Sequence, residues 1–107
     1  MDRREILRAL AGLSMGMVAS GALAQSKTKI GFIYVGPAAD YGYNMSMDLG
    51  RKFIEKQIKG VETAAFEAVP ETAEVERVME RLISSGHTII FATSYGYLDH
   101  AIRIGQR

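Results

Sequence analysis

Lys29-Ile30-Gly31-Phe32-Ile33-Tyr34-Val35 and Thr88-Ile89-Ile90-Phe91-Ala92-Thr93 are near-continuous apolar runs of strand length. Such runs mark strands covered on both faces, so both are expected to be central. Between them Val61–Val69 (VETAAFEAV) carries two glutamates and three alanines and suits a sheet edge. Two segments of helical period alternate with these strands. Val75, Val78, Met79, Leu82 and Ile83 recur at i, i+3, i+4, i+7 and i+8, with Glu74 and Glu76 in the first turn and Gly86 as the residue closing the end. Met45, Leu49 and Phe53, joined by Ile54 and Ile58 and closed by Gly60, predict a first helix from about Asn44 to Ile58. A third helix starts near Tyr97. Phe32, Phe53, Phe66 and Phe91 all fall within these elements and read as core.

The order βαβαβα predicts an α/β fold: a Rossmann-like parallel sheet with right-handed crossovers, helices on both faces and strand order 2-1-3. In that order the chain reverses direction between strands 1 and 3. Open α/β sheets bind ligands beyond the carboxyl ends of their strands at such a switch point. The tripeptide Tyr-Gly-Tyr occurs there twice, at 41–43 and 95–97, each time just after a strand. Tyrosine offers a flat apolar face with a hydroxyl at its tip, and glycine lets the loop come close, so these loops suit a small, flat, partly polar ligand.

The first 24 residues form a separate segment. Met1–Arg8 is basic, Ala9–Val18 mildly apolar, and Ala22-Leu23-Ala24 an A-x-A cleavage site, the order of a secretory signal. Arg3-Arg4 gives it a twin-arginine character, with a plain Sec signal as the alternative. The mature chain is then expected to begin at Gln25, to lie in the periplasm and, with no cysteine, to have neither a lipid anchor nor a disulfide. Cleavage removes three of 13 basic and two of 12 acidic residues, leaving ten of each. That balance argues against nucleic acid, which requires a concentrated basic face. Residues 25–107 carry no linker or low-complexity tract and read as one incomplete domain, burying only roughly 60–65% of its unfolded surface.

Chemistry-bearing motifs are few. No nucleophile–base pair, G-x-S-x-G or Walker loop occurs. Gly31, Gly36 and Gly42 make no dinucleotide fingerprint, so no cofactor is expected. His87 follows Gly86 in a turn and reads as solvated, and Asp99-His100 lacks a third metal ligand. The candidate ligand residues are instead polar or aromatic groups at strand ends. Asn44 can cap the first helix or read the polar edge of a ligand, since its amide both donates and accepts. Asp40 can accept from a ligand hydroxyl or amine, or close an Asx turn. Ser94, with the amides of Tyr95 and Gly96 at a helix start, can hold a polar ligand edge. Of Tyr95 and Tyr97, one is expected to touch ligand.

Lys29-Ile-Gly-Phe-Ile-Tyr-Val-Gly-Pro37, Asp40-Tyr-Gly-Tyr-Asn44 and Asp48-Leu-Gly-Arg-Lys52, followed in register by Val61-Glu-Thr, Ala73-Glu-Val-Glu-Arg-Val78 and Phe91-Ala-Thr-Ser-Tyr-Gly-Tyr97, resemble the start of the basic membrane protein (BMP) family of ABC-transporter substrate-binding proteins. The resemblance implies a type I periplasmic binding protein with two α/β lobes. A purine nucleoside or nucleobase would lie between them for delivery to a membrane permease. Tyr43 stands where such relatives often place an aromatic and would stack on the base; packing against the helix start is the alternative. The likeness covers about residues 28–103, which would be the opening half of the first lobe, and implies a truncated reading frame. A lipobox cysteine common in the family is missing. Two other functions fit the scaffold: a small flavodoxin-like signalling or redox domain, disfavoured because strand 3 ends in Thr93-Ser94 rather than an acid, and an exported enzyme, for which no nucleophile is visible.

Overall fold

The computed structural model describes residues 26–107; the expected signal peptide, its twin arginines and its cleavage site lie outside the described residues. Three parallel strands, β1 (Thr28–Ile33), β2 (Val61–Phe66) and β3 (His87–Ala92), form a sheet in the order β2-β1-β3. Helix α1 (Tyr43–Gln57) follows β1 and α2 (Ala73–Ser84) follows β2. A 3-10 turn at Tyr95–Tyr97 leads from β3 into α3 (Leu98–Gly105). This is the expected mixed α/β topology, with the strands one to three residues shorter at their carboxyl ends than the apolar runs.

Alternation along β1 divides the core in two. Ile33 points to one face, where it packs with Val69, Val75, Met79, Leu82, Tyr97 and Ile104 under α2 and α3. Ile30, Phe32 and Tyr34 point to the other, against Met47 and Ile54 of α1 and Val61 and Ala65 of β2. α2 is capped at both ends: the Thr72 hydroxyl accepts from the Glu74 amide at its start, and Gly86, at φ 90°, takes the left-handed turn that ends it.

Expectations for α1 and β3 are corrected. The face of α1 that meets the sheet is not the Met45–Leu49–Phe53 stripe. Leu49 and Phe53 are 55% and 64% exposed, and Asn44 and Asp48 are buried in their place. The reason lies in Tyr34, fully buried just past the end of β1: its hydroxyl requires a partner and donates to Asp48 Oδ1 at 2.9 Å. Arg51 completes the arrangement, with Nε 2.7 Å from Asp48 Oδ1 and Nη1 3.0 Å from Thr63 Oγ1. Burial, then the Asp48 contact, pushes the Tyr34 hydroxyl up to about 12, so it stays a donor at every physiological pH.

The second correction is β3. It stands at an edge, and no described element covers the α1 side of it, so Ile89 and Phe91 are 44% and 45% exposed despite the apolar run. Phe91 still stacks on Phe32, with centroids 4.9 Å apart. Of the four phenylalanines, Phe32 is core, Phe66 is partly buried and packed against the core, and Phe53 and Phe91 are not. His87 is likewise held rather than solvated: its Nδ1 lies 3.0 Å from the Leu82 carbonyl.

Candidate functional site

The loop between β1 and α1 is shaped by one carboxylate. Asp40 Oδ1 accepts from the amides of Gly42 and Met45 at 2.8 and 3.0 Å, and Oδ2 from the Asn44 amide and side-chain Nδ2 at 3.1 and 2.8 Å. The Asn44 and Met45 amides are among the orphan donors of a helix start, so the Asp40 side chain caps α1 from two residues before its N-cap, Gly42, and Asn44 lies inside the helix. The clamp also holds Tyr41 at φ 56°, a left-handed conformation that a tyrosine rarely takes. Backbone donation by Gly42 and Met45, the two largest causes, brings the Asp40 carboxyl down to about 2.

A lowered carboxyl pKa contributes stability that is present above the unfolded value, near 4, and disappears as pH falls through the folded one. The start of α1 is therefore expected to loosen between about pH 4 and pH 2. A carboxyl-carbon NMR titration should place the Asp40 midpoint near 2. A midpoint at the ordinary aspartate value would mean that the clamp does not form.

Tyr43, the first residue of α1, reaches across the carboxyl end of the sheet, where its hydroxyl donates to the Thr93 carbonyl beyond β3. The two Tyr-Gly-Tyr loops thus meet. Between them opens a cleft of about 370 Å³ walled by Tyr43, Thr93, Ser94, Tyr95, Tyr97 and Leu98. It lies beyond the strand ends at the switch point, with the half-exposed Tyr43 ring on one side and the largely exposed Tyr95 on the rim. Tyr97 forms the floor. It is wholly buried, and its hydroxyl donates to the Val69 carbonyl at 2.5 Å. Burial first, then the neighbouring Glu71 charge, pushes that hydroxyl up to about 12.

Of the six residues expected to bind ligand, the fold brings Tyr43, Ser94 and Tyr95 into this cleft. Gly96 lies just behind it, where a Cβ would overlap the Glu71 carboxylate. Asp40 and Asn44 do not line it. Asp40 is committed to the cap, and Asn44 is only 6% exposed, with its Oδ1 buried and unpartnered and its Nδ2 pressed against Gly36.

Two acidic residues not singled out from sequence join the strand-end loops. Glu67 Oε1 accepts from the Ala38 amide at 2.6 Å, tying the loop after β2 to the loop after β1. Glu71 Oε1 accepts from the Ser94 hydroxyl at 3.2 Å, tying it to the loop after β3. Neither has a sequence signature, because each acts through contacts between loops far apart in the chain. Among the described residues no group of three or more His, Cys, Asp or Glu side chains could hold a metal ion, and no helix is long and apolar enough to cross a membrane.

Comparison with known proteins agrees with this geometry. Residues 27–107 match the Bmp family, described as ABC transporter substrate-binding protein PnrA-like. A purine-binding protein of Brucella abortus (strain 2308) is 36% identical over 103 residues, which is 95% of this chain and 29% of that protein. A candidate ABC transporter glucose-binding protein of Haloferax volcanii is 31% identical over 75 residues, 70% of this chain and 19% of that one. The chain therefore spans less than a third of the length of these relatives. A parallel 2-1-3 sheet, a ligand-sized cleft at its switch point and a family match over all but one of the described residues lead to one assignment: the chain belongs to the Bmp family of ABC transporter substrate-binding proteins.

Proposed function

We propose that the chain supplies the opening half of the first lobe of a periplasmic solute-binding protein, and that its cleft holds part of a purine nucleoside or nucleobase for delivery to an ABC permease in the inner membrane. The convergence of Tyr43 with the Thr93–Tyr97 loop carries this reading, because it sets an aromatic face over a wall of hydroxyls and backbone groups. The purine-binding relative supports the ligand class. Such a site binds by stacking and hydrogen bonding and performs no bond chemistry. Asp40 and Asn44 contribute by setting the start of α1, and hence the Tyr43 ring, rather than by touching ligand.

Tyr43→Ala is expected to weaken adenosine binding by about 1–3 kcal/mol, roughly 5- to 150-fold, the worth of one aromatic–base stack. From the sequence, Tyr43→Phe reads as nearly neutral. The structure changes that expectation, since the hydroxyl holds the Thr93 carbonyl, and its loss should cost about 0.5–1.5 kcal/mol through a looser loop. Saturation-transfer NMR, which observes the ligand and tolerates weak binding, measures both variants. Purines that ignore the parent chain, or bind Tyr43→Ala equally well, would overturn the reading. The glucose-binding relative makes glucose the comparison ligand: tighter binding of glucose than of any purine would shift the assignment to a sugar.

A further inference from the structure

Four of the hydroxyls around the cleft, those of Tyr43, Thr93, Ser94 and Tyr97, share one property: their hydrogens are already spent. Tyr43 donates to the Thr93 carbonyl, Thr93 Oγ1 to the Ile33 carbonyl at 2.8 Å, Tyr97 to the Val69 carbonyl, and Ser94 to Glu71 Oε1. A hydroxyl that has given its one hydrogen keeps only lone pairs. Three of these acceptors are backbone carbonyls, which are part of the fold. The fourth is a side chain, and it is the one a substitution can remove.

Glu71 does more than accept from Ser94. Its carboxylate fills the space beside Gly96 that any larger residue would occupy, next to the backbone amides that open the 3-10 turn. Those amides, with the exposed Tyr95 hydroxyl, are the donors that remain at the cleft, and a carboxylate beside them repels anions that a helix start would otherwise attract.

We infer that Glu71 is the specificity-determining residue of the cleft: by holding the Ser94 hydrogen and lying against Gly96, it leaves the side-chain wall beneath the exposed Tyr95 rim with acceptors only, so that this wall takes the hydrogen-bond-donor edge of an uncharged ligand. This rests on the purine-binding reading and adds to it which edge is read. A base amine and a sugar hydroxyl both present such an edge. Ligands offering a carbonyl in that place, or carrying a phosphate, are disfavoured.

The test uses the whole chain and saturation-transfer NMR with adenosine, purine riboside, adenine and adenosine monophosphate. Purine riboside lacks only the amine, and adenine lacks only the sugar. If the wall reads the amine, adenosine binds about tenfold more tightly than purine riboside; if it reads a sugar hydroxyl, adenosine exceeds adenine by about as much, the worth of one hydrogen bond to an otherwise unpaired acceptor. Adenosine monophosphate binds more weakly than adenosine in either case. Glu71→Ala frees the Ser94 hydrogen, and the preference is expected to fall to within about twofold while the monophosphate gains.

Glu71→Gln, whose amide oxygen still accepts from Ser94, should keep the amine or hydroxyl preference but lose the discrimination against phosphate. Gly96→Ala should behave like Glu71→Ala, because its Cβ displaces the carboxylate without touching its chemistry. Glu71 is exposed, so circular dichroism is expected to show unchanged helix content in its variants. Binding with preferences that stay the same in Glu71→Ala and Gly96→Ala would overturn the role of Glu71 and leave the purine reading intact. Absence of binding by every ligand to the parent would overturn both.

Discussion

Leu82→Ala is expected to lower the unfolding free energy by about 2–5 kcal/mol, a large part of the roughly 5–15 kcal/mol that small domains possess. Leu82 is almost fully buried where α2 crosses β1, among Val75, Met79 and Ile33. Its neighbour on the strand is Gly31, where a Cβ would stand only 2.7 and 2.9 Å from the two Leu82 methyl carbons. Glycine in the middle of a strand is used here for a close approach of helix to sheet. Gly31→Ala should therefore cost about 1–3 kcal/mol by overpacking. The pair is diagnostic because the two lesions oppose each other: the alanine methyl enters the cavity that Leu82→Ala leaves. The double variant should be more stable than the sum of the single losses predicts, by about 0.5–3 kcal/mol. Urea unfolding followed by circular dichroism measures all three. Strict additivity would show that α2 does not lie on Gly31 in solution.

The layout of the sheet was legible because its signals are local. Apolar runs, the period of α2 and the glycine after it each specify an element without reference to the rest of the chain, and the alternation of elements implies the 2-1-3 order found. The site was legible only to the level of its loops. Ser94 and Tyr95, which line the cleft, stand just past the end of β3, and Tyr43, which lines it too, is marked by the family resemblance. Asp40 and Asn44 look like ligand groups in the sequence because carboxylates and amides serve equally as caps and as base readers. The structure shows which contacts the Asp40 carboxylate makes: four hydrogen bonds tie it to the start of α1. Glu71 could not be read at all, since its partners Ser94 and Gly96 lie more than twenty residues away and across the sheet. The face of α1 was misread for a related reason. Its apolar stripe is real, but one buried tyrosine just past β1 selects Asp48 and Arg51 as the inner face instead.

The chain expressed by itself is expected to self-associate through β3, and Ile89→Lys to return it to a monomer. β3 is an edge strand whose outer backbone groups have no partner strand among the described residues. Its sequence, His87-Thr-Ile-Ile-Phe-Ala92, carries no lysine, proline or acid that would discourage a second strand from pairing. Ile89 and Phe91 add a half-exposed apolar strip on the α1 side of the same strand. An isologous pairing of two β3 edges would bury both strips, and lysine at position 89 would bring two like charges into that contact. The association constant should fall by at least about tenfold, or ~1.4 kcal/mol. The cost to the fold should be small because Ile89 is already half in water. Ile58→Lys is the control: it removes an equally exposed isoleucine, but from the end of α1 rather than from a strand edge. Sedimentation velocity over a concentration series distinguishes the cases. A parent chain that stays monomeric throughout would mean that the β3 edge is protected in solution, and dissociation by Ile58→Lys as readily as by Ile89→Lys would place the contact elsewhere than on the sheet.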